Sequence, residues 1–289
     1  MKSQNYYNRS AVQPAAEDIE RWVTLSLEED LGPGDVTTGS ILREDAPGRA
    51  VVTAKEPLVL CGLDCFKAVF LKLDAAAVFP GSARRDGDAL QTGDTLVEVE
   101  ARASALLQGE RTALNMVQRL SGIATLTRTF ADRAAPVTLL DTRKTTPGLR
   151  VFEKYAVRCG GGTNHRFGLF DAILIKDNHI RIAGSLTEAV RRAGKDSPPF
   201  IEVETSTLQE VEEAIHCGVD RILLDNMTLP QIVDAVQRVR GRTQIEVSGN
   251  ITLQRLDELR GTGIDFVSVG ALTHSARAVD ISMNLAASG

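Results

Sequence analysis

Hydrophobic and polar positions fall into two patterns along the chain. From 49 to 101 the apolar residues come in short runs, RAVVTAK, LVLCG and TLVEVEA, separated by turn chemistry such as Arg85-Asp86-Gly87-Asp88 and Thr92-Gly93-Asp94. Short runs bounded by Gly and Asp predict strands, with one helix around 64–73, and together a small α+β domain on a mostly antiparallel sheet. Ahead of it, Ile19, Trp22, Val23 and Leu27 share one face of a helix over 17–31 that Gly32 ends. GDVTTG (34–39) resembles an acidic ribose-binding loop, but Gly32-Pro33-Gly34 precedes it where an apolar strand is needed, so it reads as a turn. After the small domain, Ser104 is the expected cap of a helix ALLQGERTALNMVQRL, and SGIATLTRTFADRA is expected as a second helix.

From 137 the pattern alternates strand and helix. The expected strands are 137–141, 171–176, 200–204, 220–225, 244–248 and 264–269, with helical patterns such as 207–217, 228–240 and 252–260 between them. Strands alternating with helices imply a parallel βα array. Six strands are fewer than the eight of a complete barrel. The array is therefore a shortened or open barrel, and from pattern alone an open doubly wound sheet is also compatible.

With 289 residues the chain can hold one or two domains. The expected division is the small α+β domain over 1–120, a barrel over 121–275, and a C-terminal stretch 276–289 that packs on the first domain. No apolar run approaches a membrane span, and MKSQNYYNRSAVQPAAED lacks the apolar stretch of a signal peptide and reads as a loose arm. Cys61, Cys65, Cys159 and Cys217 show neither disulfide-framework nor zinc spacing, which suits reduced thiols in the cytoplasm.

Charge changes this picture at one place. The formal net charge is -5, yet residues 143–181 carry eight Lys or Arg against three Asp or Glu. Cations gathered where two strands end suit a small polyanion and exclude a generally basic nucleic-acid surface. In a parallel barrel the strand ends share one mouth, and the ends here read Asp141, Lys176, Glu204, Asp225, Ser248 and Gly270. Any one of them could be an ordinary boundary residue. Lys176 and Glu204 directly follow the apolar runs AILI and IEV, so pairing with each other or with ligand charge explains them better. Glu204 and Asp225 are candidate Mg²⁺ ligands, because magnesium prefers oxygen. Ser248-Gly249-Asn250 and Val269-Gly270-Ala271 are tight loops whose N–H groups can hold a phosphate. Arg143 and Arg166 offer planar forks for a substrate with more than one carboxylate, with Lys144 and His165 beside them.

The runs TRKTTPGLR, KYAVRCGGGTNHR and ILIKDNH, with EEDLGPGDVTT near the start and SVGALTHS near the end, make the chain similar to the quinolinate phosphoribosyltransferases. The resemblance implies an N-terminal α/β sandwich joined to an incomplete α/β barrel. It implies transfer of phosphoribosyl from phosphoribosyl pyrophosphate to quinolinate with loss of CO2, and Mg²⁺ as cofactor. Matched position by position, Arg111, Thr142, Arg143, Lys144, His165, Arg166 and Lys176 would contact quinolinate and pyrophosphate. Glu204 and Asp225 would hold ribose and magnesium, and the loops 248–250 and 269–271 the 5′-phosphate. Lys144, Lys176, Glu204 and Asp225 would be catalytic. It further implies a homodimer, or a higher oligomer, in which Arg111 reaches the partner's barrel, although from its own pattern Arg111 is an ordinary solvated helix charge. Asn250 stands where many members have a second glycine.

Two other classes share these features. Lys176 at the end of an apolar strand could form a Schiff base in a lyase, and the scaffold could serve a non-catalytic binding protein.

Overall fold

The protein is described by a computed structural model covering residues 13–81, 84–194 and 200–285. Most of the N-terminal arm lies outside the described residues. The chain forms two compact units, one comprising residues 13–128, 146–161 and 275–285 and the other residues 129–145 and 162–274.

The first unit is built on an antiparallel sheet. Strand β1 (Pro47–Ala54) has β4 (Thr95–Arg102) on one side and β11 (Ile281–Leu285) on the other. Among the described residues a two-stranded pair, β2 (Leu58–Val59) and β3 (Ala89–Leu90), completes its strands. The buried positions alternate along β1 as Ala50, Val52 and Ala54, the pattern of a strand with one face on a core. Helices Ala16–Leu31 and Leu63–Leu73 pack with the sheet into one cluster that includes Val23, Leu27, Phe66, Phe70, Val99 and Met283.

Three local expectations are corrected here. GDVTTG is no simple turn: Asp35 accepts the Thr37 and Thr38 N–H groups, both at 3.0 Å, and so caps a short helix, Val36–Ile41. Ser104 is not the cap of the next helix. It lies inside the first turn and donates its N–H and hydroxyl to Asp45 at 2.9 and 2.7 Å, so the capping carboxylate comes from 59 residues away. The two helices expected on either side of Ser121 are one, Ala103–Ala134. Gly122 does not break it, because its role is close approach: a Cβ there would lie 1.9 Å from the Arg277 carbonyl oxygen.

In the second unit six strands form one parallel sheet. They are β5 (Thr138–Leu140), β6 (Ile173–Ile175), β7 (Ile201–Thr205), β8 (Arg221–Asp225), β9 (Gln244–Ser248) and β10 (Phe266–Ser268). From β6 to β10 each strand lies beside its predecessor, and β5 joins β10 instead of β6. A doubly wound sheet reverses direction at a switch point; this order has no reversal and leaves one seam between β5 and β6. The fold is thus the incomplete α/β barrel, with strand ends aligned as in a full barrel. Helices Leu208–Cys217, Leu229–Val239 and Leu253–Leu259 fall where the periodicity places them. The first begins with a Thr207/Glu210 capping box, in which each side chain accepts the other residue's N–H at 3.2 and 3.0 Å.

Candidate active site

A cavity of about 600 Å³ opens at the C-terminal ends of these strands. Its wall on the β5 side is set by Asp141, whose buried carboxylate accepts from Asn164 Nδ2 at 2.7 Å and from the His165 N–H at 2.8 Å. Thr163 pairs with Leu140 as a one-residue extension of the sheet, its N–H meeting the Leu139 carbonyl at 2.8 Å. Together these bonds fix where His165 and Arg166 emerge after the glycine run. Arg166, almost fully buried, donates from Nη1 to the Ala172 carbonyl at 3.1 Å. Lys144 is seated between Thr142, whose Oγ accepts its N–H at 3.1 Å, and Thr273, whose hydroxyl donates to its carbonyl at 2.7 Å.

Opposite charge stands beside these cations. Lys176 at the end of β6 forms an ion pair with Glu204 of β7. Asp225 at the end of β8 is opposite Ser248 in register with β9, and Asn226 Nδ2 donates to it at 2.8 Å. The lysine is 44% exposed. A Schiff-base lysine is activated by an apolar enclosure or a second cation, and an exposed lysine held by a carboxylate does not favour that chemistry.

Beneath the cavity lies a buried charged cluster. Arg221 donates to Glu246 Oε2 at 3.1 Å and to Gln244 at 3.0 Å, with its guanidinium 3.6 Å from the Phe266 ring centroid and 5.3 Å from that of Phe200. His165 Nε2 lies 3.1 Å from Glu202 and 3.7 Å from Glu246, while its Nδ1 accepts the Arg166 N–H at 2.7 Å. An Nδ1 that accepts leaves the proton on Nε2, facing the carboxylates. Burial raises the Glu202 carboxyl against the pull of Arg221. Burial, then the adjacent Glu202, raises that of Glu246 to about 7.

The cavity brings together Thr142, Arg143, Lys144, His165, Arg166, Lys176, Glu204, Asp225, Ser248, Gly249 and Asn250. Val269, Gly270 and Ala271 are not among its lining residues; Ser268 lines it instead. Gly270 is close-packed against Lys144 and His274, leaving a Cβ only 3.0 Å from the lysine stem. Arg111 is likewise absent from the lining. It sits on the long helix of the first unit, 62% exposed and 3.7 Å from Glu110. Three polar lining residues escaped the sequence reading: Asn226, Glu246 and Ser268. For Glu246 a signal existed, since a Glu inside an apolar parallel strand, covered on both faces, has no solvent to face. Among the described residues no helix is long and apolar enough to cross a membrane.

A parallel α/β array with cations, carboxylates and a glycine loop at its strand ends defines a barrel enzyme acting on a small, multiply charged anion. Residues 35–121 match the quinolinate phosphoribosyl transferase N-terminal domain and 123–284 the C-terminal domain of the same family. The chain belongs to the quinolinate phosphoribosyl transferase family. It is 40% identical over 289 residues to the chloroplastic, carboxylating nicotinate-nucleotide pyrophosphorylase of Arabidopsis thaliana, covering 93% of this chain and 83% of that one. Among solved structures, the nicotinate-nucleotide pyrophosphorylase from Francisella tularensis is 40% identical with a TM-score of 0.91, covering 96% of this chain and 99% of that one. NadC from Streptococcus pyogenes is 43% identical with the same TM-score, at 95% and 98% coverage.

Proposed function

We propose that this chain transfers the phosphoribosyl group of phosphoribosyl pyrophosphate to quinolinate and decarboxylates the adduct, giving nicotinate mononucleotide, pyrophosphate and CO2 for NAD biosynthesis. The observation that carries this reading is the single cavity in which Arg143, Lys144, Arg166 and Lys176 meet Glu204 and Asp225. The arginines suit the two quinolinate carboxylates by their planar forks, and His165 orients Arg166 through its main chain. Lys144 and Lys176 face the pyrophosphate, and the loop Ser248-Gly249-Asn250 takes the 5′-phosphate. Glu204 and Asp225 stabilise the cationic ribose as the bond to pyrophosphate breaks. Such fixed charges lower the barrier because they need not reorganise during the reaction. Once the pyridine nitrogen carries the ribose it is a cation. It then stabilises the carbanion left at C2 as CO2 departs, and that carbon takes up a proton from water to give nicotinate mononucleotide, so decarboxylation needs no organic cofactor.

Magnesium fits the same two carboxylates, which are oxygen donors lining a cavity with room for the waters this ion retains. Glu204 and Asp225 would hold it, and when bound it supplies charge neutralisation for the diphosphate. The reading extends to a cytoplasmic homodimer, consistent with four free cysteines, in which the exposed Arg111 completes the partner's site. Mixing inactive Arg111→Ala and Lys144→Ala chains by refolding should restore about a quarter of wild-type activity in a two-fold dimer. No recovery, with exchange confirmed by tags, contradicts the shared site.

Incubation with quinolinate, phosphoribosyl pyrophosphate and Mg²⁺, followed for CO2 and nicotinate mononucleotide, tests the function. The expected result is equimolar formation of both. A folded protein that gives neither overturns the reading and leaves the binding-protein alternative.

A further inference from the structure

Asn226 directly follows Asp225 and has a left-handed backbone, with φ 53°, a conformation that Asn tolerates better than most residues. Its N–H donates to the Ser248 carbonyl at 3.0 Å. Its side-chain Nδ2 donates to Asp225 Oδ2 at 2.8 Å, and its Oδ1 accepts from Asn250 Nδ2 at 3.3 Å. These two partners fix the amide orientation, since a carboxylate can only accept and the Asn250 nitrogen can only donate. One side chain therefore joins the acid at the end of β8 to the loop at the end of β9. Gly249 is its complement: at φ 97°, a Cβ there would lie 2.2 Å from Asn226 Oδ1 and 3.0 Å from its main-chain nitrogen. Strand pairing does not require this side chain, because β8 and β9 are in register from Arg221 opposite Gln244 to Asp225 opposite Ser248 by main-chain contacts alone.

We propose that Asn226 is a positioning residue for the sugar-phosphate half of the reaction. It holds the Asp225 carboxylate and the Ser248–Asn250 loop at one spacing, so that ribose and 5′-phosphate are gripped as a single rigid pattern. This role rests on the function proposed above, with Asp225 at the ribose and the loop at the phosphate.

The test compares the full-length wild type with Asn226→Gly, Asn250→Gly and the double variant, since Asn250 too is left-handed, with φ 49°. Glycine keeps the left-handed backbone available and removes only the side chain, which separates a backbone role from the proposed one. Calorimetric titration with phosphoribosyl pyrophosphate and Mg²⁺ is read beside KM for each substrate and the thermal midpoint. Loss of a residue that orients a ligand-holding group typically costs about 10–100-fold, and that weakening is expected for phosphoribosyl pyrophosphate in Asn226→Gly. KM for quinolinate should change less than about threefold, a split that general loosening of the fold would not produce. The double variant should be no weaker than Asn226→Gly alone, because the Asn250 contribution passes through Asn226. If Asn226→Gly does not fold, Asn250→Gly, at an exposed position, must show the same split in smaller measure. Unchanged affinity, or equal losses for both substrates alongside a fallen thermal midpoint, overturns the positioning role alone. A wild type that neither binds nor consumes phosphoribosyl pyrophosphate overturns the proposed function and this role with it.

Discussion

The two sheets bury different chemistry. In the antiparallel sheet the inward residues include Ala50, Val52, Ala54, Val97, Val99, Ala101, Ile281 and Met283, all apolar. In the parallel sheet Glu202, Arg221 and Glu246 are as fully buried, and among the described residues Glu202 Oε1 and Glu246 Oε1 have no hydrogen-bond partner. Buried charge gives little net stability, since desolvation offsets most of the attraction. A sheet with buried ions beneath a cavity is organised for the site, whereas the apolar sheet is organised for folding. Substitutions in the two sheets should therefore fail in different ways.

Phe66→Ala tests the apolar side and carries the largest expected effect. Phe66 is fully buried, its ring centroid 5.0 Å from that of Phe70, and truncation should cost about 3–5 kcal/mol. Urea denaturation should show that loss while activity per folded molecule stays near wild type. A stable but inactive Phe66→Ala protein would break the contrast.

Arg166→Lys tests the other side. The charge remains but the fork is lost, and a hydrogen bond to a charged group is worth about 1.5–3 kcal/mol. kcat/KM for quinolinate should therefore fall by at least about tenfold. An activity loss matched by an equal loss of stability would mean that Arg166 serves the fold.

A third contrast is a dependence on pH. Because the Glu246 carboxyl is raised from 4.5 to about 7, the folded chain holds a proton that the unfolded chain has already released between those values. Its stabilising contribution is complete below about 4.5 and is lost as pH rises through about 7. The urea midpoint should decline from pH 5.5 to pH 8, and Glu246→Gln should flatten that decline. An identical decline in the variant would remove Glu246 as its source.

These contrasts were unevenly legible in the sequence. Lys176, Glu204 and Asp225 stood out because a polar residue ending an apolar run marks a strand end, and the parallel topology turns strand ends into a site. Asn226 did not stand out, because an Asn after a strand is ordinary turn chemistry, and only its φ and its contact across to Asn250 distinguish it. Asp45 as the cap of the helix beginning at Ala103 was illegible for a different reason. The bond spans 59 residues, and local pattern carries no information at that range. Strand β11 was missed because a five-residue edge strand after the barrel has no alternation strong enough to announce it, although the C-terminal stretch was expected against the first domain.

Whether the cavity reads a dicarboxylate is decided by kcat/KM for quinolinate against nicotinate, with phosphoribosyl pyrophosphate as co-substrate. If the cations lining the cavity read two carboxylates, nicotinate leaves a guanidinium without its partner, a loss of about 3–5 kcal/mol when the pair is buried. Quinolinate should then be preferred by at least about a hundredfold. Comparable values for the two acids would contradict the assignment of Arg143 and Arg166 and, with it, the reading of the cavity as a dicarboxylate site.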